Sequence, residues 1–403
     1  MATHAPTGPV SPGQILTLAS SIRGDGSSPV FSFGTDHKPF NAGECRVYAV
    51  KFPDNVTWAV RVPVQAGEDL APAALSCFVD AHAKILTKLT DAGFRWSPKL
   101  IHHDTGSDNA IGCPYLILSW IHGTALEWTD TVPSGELRAK VLHQVVDIQL
   151  ELAECTKKLR HDASSSSFLT GMVDGQVRRT ATGKVPEFRV RDCLIHRALV
   201  RHAVDKTLEF DPTIFAVSHE NLAAHSIIVD ADHNITGITD WTFARALPLQ
   251  LAFRLPRFLA IEPENPRETA SQVPHNIEAF TTQFLQPSAS LIADRQVIRF
   301  YLSSLISNSE KLERASLAQT MKTVHSKPDA SWRYLVIEAC FSKGLHDWLA
   351  QRSWLLHGTK ADLAAFINPS QEMIKEELDG LMKTTGTKEG LTHDSLWEEA
   401  IKH

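Results

Sequence analysis

The chain has 403 residues, 43% of them hydrophobic and 21% charged, which is ordinary globular composition. Its 21 glycines and 21 prolines are close to average usage, which excludes collagen and wholesale disorder. Lys plus Arg number 40 against 46 Asp plus Glu, a formal net charge of −6, so the basic excess of a general nucleic-acid binder is missing.

Six cysteines stand at 45, 77, 113, 155, 193 and 340. No two have C-x-x-C spacing, so neither a zinc ribbon nor a redox pair is supported. Such dispersed thiols suit a reducing compartment. No segment approaches the roughly 18 consecutive apolar residues that span a bilayer. Met1 to Pro12 lacks the apolar stretch of a signal peptide. The expectation is a cytoplasmic protein with no nucleic-acid or membrane partner, and a length prior of roughly two to three domains.

In chain order, residues 1–30 read as loosely structured. Cys45–Phe52 and Val56–Val64 are rich in β-formers and flank the turn signal Pro53-Asp54-Asn55, which predicts a hairpin. Ala73–Asp91 carries Leu75, Phe78, Val79, Ala83, Leu86 and Leu89 at helical spacing and stops at Gly93. Lys99–His102 and Tyr115–Trp120 read as strands, and Ile121–Thr124 breaks the pattern. Ser134–Leu159 is a long amphipathic helix with Leu137, Val141, Val145, Ile148 and Leu152 on one face. Ser164–Ser167 reads as a loop, Val190–Leu208 as helix and Ile214–Ser218 as a strand. Ile227–Asp230 and Ile235–Thr239 form a second small hairpin, and Pro266–His403 is mostly helical by pattern.

The chemistry concentrates in one stretch, Phe215-Ala-Val-Ser-His219-Glu-Asn221-Leu-Ala-Ala-His-Ser226-Ile-Ile-Val-Asp230, followed by Asn234-Ile-Thr-Gly-Ile-Thr-Asp240-Trp241. It resembles the catalytic segment of the fungal aminoglycoside-phosphotransferase-like family, within the protein-kinase-like fold. That family's pattern runs S-H-G-D-L-x-x-x-N-I-L-V-D, then N-I-T-G-I-I-D-W. The intervals match without a gap, five residues from 221 to 226 and fourteen from 226 to 240. Arg46-Val-Tyr-Ala-Val with Trp58-Ala-Val-Arg61-Val-Pro63 resembles the nucleotide-lobe hairpin. Gly112-Cys-Pro-Tyr115-Leu-Ile-Leu-Ser119-Trp resembles the connection between lobes, and Ala244–Phe258 the segment after the metal-binding Asp. The likeness covers roughly residues 40–260.

The resemblance implies an α+β, two-lobed kinase-like fold, with a β-rich nucleotide lobe over 1–121 and a mainly helical lobe over 122–403. It implies ATP and Mg²⁺ as cofactors and a small-molecule ligand or substrate. Phosphoryl transfer needs positioned metal ions, phosphate-neutralising cations and a residue that orients the attacking hydroxyl. Mapped residue by residue, the base position holds Asn221, whose carboxamide accepts a hydrogen bond but takes no proton. The metal positions hold Ser226, a poorer oxygen ligand, and Asp240. The strand cation is Arg61, which binds phosphate well, with Asp80 as its best partner on the first helix. Gly43 is the one glycine near the phosphate-covering turn, and Ser119 lies in the nucleotide-binding connection. Glu220 replaces the family's glycine; as an extended neighbour of Asn221 it points the other way and does not substitute as base.

His219 is expected to brace backbone. With Glu220 and His225 it does not make a zinc protease, because H-E-x-x-H spacing is absent. Neither G-x-S-x-G nor G-x-x-x-x-G-K-[ST] occurs. Lys99, Arg254 and Arg257 are candidates for a basic spot. Three readings follow: a phosphotransferase relative with a degraded transfer site that binds or acts on a small molecule, plausible in a fungal specialised-metabolite pathway; a slow ATP- and Mg²⁺-dependent kinase; and a pseudokinase scaffold.

Overall fold

The structure, a computed structural model, describes residues 10–33, 40–42, 45–63, 72–129, 131–161, 164–181, 183–204, 213–254, 256–259, 276, 279–280, 282 and 336–352. The chain divides into two compact units. One is Met1–Thr156 with Val217–Ala246 and Pro256–Phe258; the other is Lys157–Ala216 with Leu247–Leu255 and Leu259–His403. Both helix and antiparallel sheet are present, an α+β class.

The first unit is built on the predicted hairpin. Asp54 accepts from the Val56 amide at 3.2 Å, Asn55 takes φ 68°, and its amide donates to Phe52 at 3.0 Å. Around this turn lies a sheet of β1 (Val30–Phe31), β2 (Phe40–Ala42), β3 (Cys45–Lys51), β4 (Thr57–Pro63), β5 (Leu100–Asp104) and β6 (Tyr115–Ser119). The order is β1-β3-β4-β6-β5, with β2 on β3 and every pairing antiparallel. Arg61 lies opposite Val47 on one side and Leu116 on the other. Trp58, Val60 and Val62 join the core on one face. By strand alternation Arg61 projects to the other.

Within the stretch expected to be loosely structured, 1–30, the described residues hold a helix. Pro12–Arg23 is helix α1. Ser11 and Gln14 form a capping box, Pro12 starts the helix, and Gly24 ends it at φ 70°. Ile15, Leu18 and Ala19 are buried with Tyr48, Phe52 and Trp58 in one core cluster. Burying side chains of this size is worth about 1.5–3 kcal/mol each for the larger ones, enough to hold a twelve-residue helix that would be marginal alone.

Helix α2 (Pro72–Asp91) follows, stopped at Gly93 with φ 77°, the Phe94 amide donating to the Leu89 carbonyl at 2.9 Å. Helix α3 spans Gly135–Thr156 and buries Val141, Val145, Ile148 and Leu152; Leu137, in its first turn, is 41% exposed instead. It stops before Leu159, because Thr156 Oγ1 bonds the Leu152 carbonyl and receives the Val217 amide, and Lys158–Leu159 is a short strand of the second unit.

In that second unit, Lys158 and Leu159 pair antiparallel with Phe215 and Ile214. Ser165–Ala181 is helix α4, where a loop was expected around 164–167. Ser164 and Ser167 exchange side-chain and amide hydrogen bonds at 2.9 and 3.1 Å, so the polar run is a helix cap. Helix α5 is Val190–Val204, and the end of its expected span lies outside the described residues. So does most of 266–403, where a helix covers Lys343–Arg352.

The small hairpin of the first unit is present as predicted. Ile227–Val229 pairs with Ile235–Ile238 on one side and Thr124–Ala125 on the other. Gly123, at φ 135°, lets the chain pass against it: a Cβ there would lie 2.4 Å from the Val229 carbonyl oxygen. Gly123→Ala should therefore cost about 2 kcal/mol. The readout is a lower urea midpoint at unchanged slope. An unchanged midpoint would mean the hairpin yields freely. Among the described residues no helix is long and apolar enough to cross a membrane.

Candidate functional site

Two short segments of the first unit bring the candidate residues to β4. One is the turn His219–Ser226, the other Asp240–Phe243. Asp240 adopts φ 64°, ψ 48°, a left-handed conformation that Asp tolerates better than most residues. This turn aims its carboxylate at the sheet. Oδ1 accepts from Arg61 Nη2 at 3.3 Å and from Thr242 Oγ1 at 3.3 Å. Arg61 is buried, its side chain 7% exposed against 26% for Asp240, and its Nε has no hydrogen-bond partner. Trp241, fully buried, anchors the turn through its indole N–H to the Ile238 carbonyl at 2.8 Å, with its ring against Phe94 and His219.

His219 braces this turn. Its Nε2 donates to the Thr239 carbonyl at 2.8 Å, which leaves Nδ1 as a buried, unpartnered lone pair. Burial pushes its pKa down to about 4, against the opposing pull of the Thr239 carbonyl and Asp240. Ser226 is fully buried, its carbonyl accepting from the Thr239 amide at 2.8 Å and its Oγ unpartnered.

Glu220 is not extended. It sits at φ 63°, which explains why glycine suits this place, and its carboxylate turns to Arg245 at 2.9 Å. Asn221 Oδ1 accepts from Arg257 Nη1 at 2.8 Å. The position that the sequence resemblance assigns to the base thus holds a carboxamide whose oxygen already accepts one bond from a guanidinium.

The structure therefore brings Arg61 and Asp240 together, with Ser226 on the segment behind them. Asp80 is not part of this group. Its carboxylate bonds Lys84 one turn on at 2.7 Å, with a side chain 43% exposed. The α2 residue that reaches the cluster is His82, fully buried, its Nδ1 3.3 Å from Thr242 Oγ1. Burial first, then Arg61 and His219, push its pKa down to about 3. Ser119 Oγ accepts from the Lys99 amide at 2.8 Å, a strand-end bond. Gly43 lies outside the described residues. Of the candidates for a basic spot, Arg257 in the first unit bonds Asn221 and Arg254 in the second pairs with Glu338.

His82 and Thr242 were missed as site residues, and Arg257 was named for a basic spot rather than as the partner of Asn221. The signal for His82 was in the helix period: it lies three residues after buried Val79 and four before buried Leu86, on the packed face that Asp80 does not share. Thr242 and Arg257 carried none.

Mg²⁺ favours near-octahedral oxygen ligation and is commonly held by one or two carboxylates together with substrate phosphates. Among the described residues Asp240 is the carboxylate beside Arg61, and its Oδ1 is bonded by Arg61 and Thr242. Among the described residues no group of three or more His, Cys, Asp or Glu is arranged to hold a metal.

No family model matches the chain, and no curated protein matches it. Solved structures similar to it include aminoglycoside phosphotransferase APH(3'')-Id from Streptomyces rimosus, at 16% identity, covering 73% of this chain and 98% of that one with a TM-score of 0.41. Another is macrolide 2'-phosphotransferase MphH from Brachybacterium faecium, at 14% identity, 78% and 98% coverage and a TM-score of 0.39. A third is ADP-bound aminoglycoside phosphotransferase APH(2'')-Ib, at 9% identity, 80% and 99% coverage and a TM-score of 0.43.

Proposed function

We propose that this chain is a kinase-like, aminoglycoside-phosphotransferase-type protein that retains a nucleotide crevice but has lost efficient phosphoryl transfer, and that it binds or acts on a small molecule. The observation that carries this reading is the state of position 221. A hydroxyl-orienting base must present a carboxylate to the acceptor; here a carboxamide presents its oxygen to Arg257. The neighbouring carboxylate, Glu220, is held by Arg245. Arg61 beside Asp240 preserves the phosphate-gripping half of the apparatus. A place in a fungal specialised-metabolite pathway, and the division into lobes at 121, belong to this reading and rest on the sequence resemblance.

The test has two parts. Millimolar ATP should raise the thermal midpoint of the full chain, because a ligand of the folded state alone stabilises it. No rise, with or without Mg²⁺, would remove the nucleotide crevice. Asn221→Asp should then leave ATP turnover at the background of the unmodified chain. A missing base alone would be worth roughly 10²–10⁴-fold. The new carboxylate is instead answered by Arg257, and the metal site stays deficient. Vigorous turnover by the unmodified chain would overturn the reading, and a hundredfold gain in the variant would reduce the lesion to one residue.

A further inference from the structure

The two oxygens of Asp240 are not equivalent. Oδ1 accepts from Arg61 Nη2 and from Thr242 Oγ1, each at 3.3 Å, while no described residue donates to Oδ2. With the side chain 26% exposed, Oδ2 is the oxygen left to a ligand. A guanidinium and a carboxylate ordinarily settle into a two-point fork, two N–H groups on two oxygens. Arg61 instead makes one contact with Asp240, from Nη2 to Oδ1. Thr242 supplies the reason. Its hydroxyl takes a second position on Oδ1, and a carboxylate turned to bring Oδ2 onto the guanidinium gives that bond up. The direction of the bond is fixed as well. A carboxylate oxygen only accepts, so the hydroxyl donates and offers its lone pairs to its other neighbour. That neighbour is Nδ1 of His82 at 3.3 Å, on a fully buried imidazole of α2, which holds the hydroxyl in place.

We propose that Thr242 is a positioning residue: it holds Asp240 to a single contact with Arg61 and so keeps Oδ2 for a divalent cation carried by a nucleoside triphosphate. The proposal rests on the nucleotide-crevice reading above. One carboxylate together with phosphate oxygens is ordinary ligation for Mg²⁺, and Asp240 fits that part with Oδ1 engaged. Without the hydroxyl, the carboxylate is free to close the fork on Arg61 with both oxygens used. Cation binding then competes with the closed fork, and the apparent affinity falls by the fraction of chains in which the carboxylate stays open.

The experiment is calorimetric titration of ATP into the full chain at one pH and ionic strength, once with EDTA and once with excess Mg²⁺. The readout is the ratio of the two Kd values. In the parent chain Mg²⁺ should tighten ATP binding by at least about fivefold. Thr242→Val, similar in shape but without the hydroxyl, should lower that ratio by at least about threefold, and Thr242→Ser should restore it. A merely structural role weakens ATP binding equally in both buffers and leaves the ratio alone; that result overturns the proposal. A ratio that stays low in the serine variant overturns it too, since the hydroxyl would not be the cause. A parent chain that binds ATP with no regard to Mg²⁺ overturns the proposal and leaves the nucleotide reading intact. Absence of ATP binding by the parent in both buffers overturns both. If the valine chain does not fold, Thr242→Ala takes its place, with the same expected loss and the same overturning result.

Discussion

Lowering the pH from 7 to 4.5 should unfold this protein more readily than its net charge would suggest, and the cause is buried histidine. His82 and His219 are held neutral in the first unit, with pKa values pushed down to about 3 and about 4. In the second unit His196 and His346 face one another, Nδ1 to Nδ1 at 3.0 Å, and are pushed down to about 4 and about 3, chiefly by burial. The sign follows from linkage. In the unfolded chain these groups take up protons near pH 6.5, whereas the folded chain resists until two units or more lower. Stability is therefore fully present above about pH 6.5 and is lost as the pH falls toward 4. Each group contributes up to about 3 kcal/mol across that window. Urea midpoints by circular dichroism at pH 7, 5.5 and 4.5 should fall steadily. His82→Gln should flatten part of the dependence. A midpoint unchanged down to pH 4.5 would mean these imidazoles are hydrated in solution.

The same histidines mark where the sequence was readable and where it was not. The hairpin of β3 and β4 follows from local pattern, since alternation and a Pro-Asp-Asn turn act within a few residues. The run 219–240 could be aligned because intervals along a chain survive substitution. Helix α1 was legible in principle: Ser11-Pro12 followed by Gln14 is a helix start, but glycine, proline and serine nearby mask it. Ser164 was misread for the same reason, because serine serves a cap as well as a loop. Asp80 was named because its charge suggested a partner for Arg61, whereas the helix period places His82 inward. Arg257 is a different case. It meets Asn221 across 36 residues of chain, and no local rule connects an exposed arginine with a carboxamide at that separation. Glu220 is a second such case: the extended backbone expected beside Asn221 is instead left-handed, and the side chain goes to Arg245.

Asp240→Asn should destabilise the first unit more than Arg61→Met, although the two side chains form one ion pair. The reason is where each charge is left. Removing the carboxylate strands a guanidinium whose side chain is 7% exposed and whose Nε already lacks a partner. An uncompensated charge in such a position costs about 3 kcal/mol, the low end for broken buried pairs. Removing the guanidinium leaves a carboxylate that is 26% exposed, still bonded by Thr242 and reachable by water, while methionine fills the apolar volume beneath it. That loss should be about 1 kcal/mol. The double variant should be more stable than Asp240→Asn alone, because the methionine removes the charge that the asparagine abandons. Urea denaturation of the three variants at pH 7 measures the order. If Arg61→Met were the more damaging change, the guanidinium would be acting through its packing against β4 rather than as the buried cation that Asp240 exists to balance, and a phosphate group would find no poised counter-charge there.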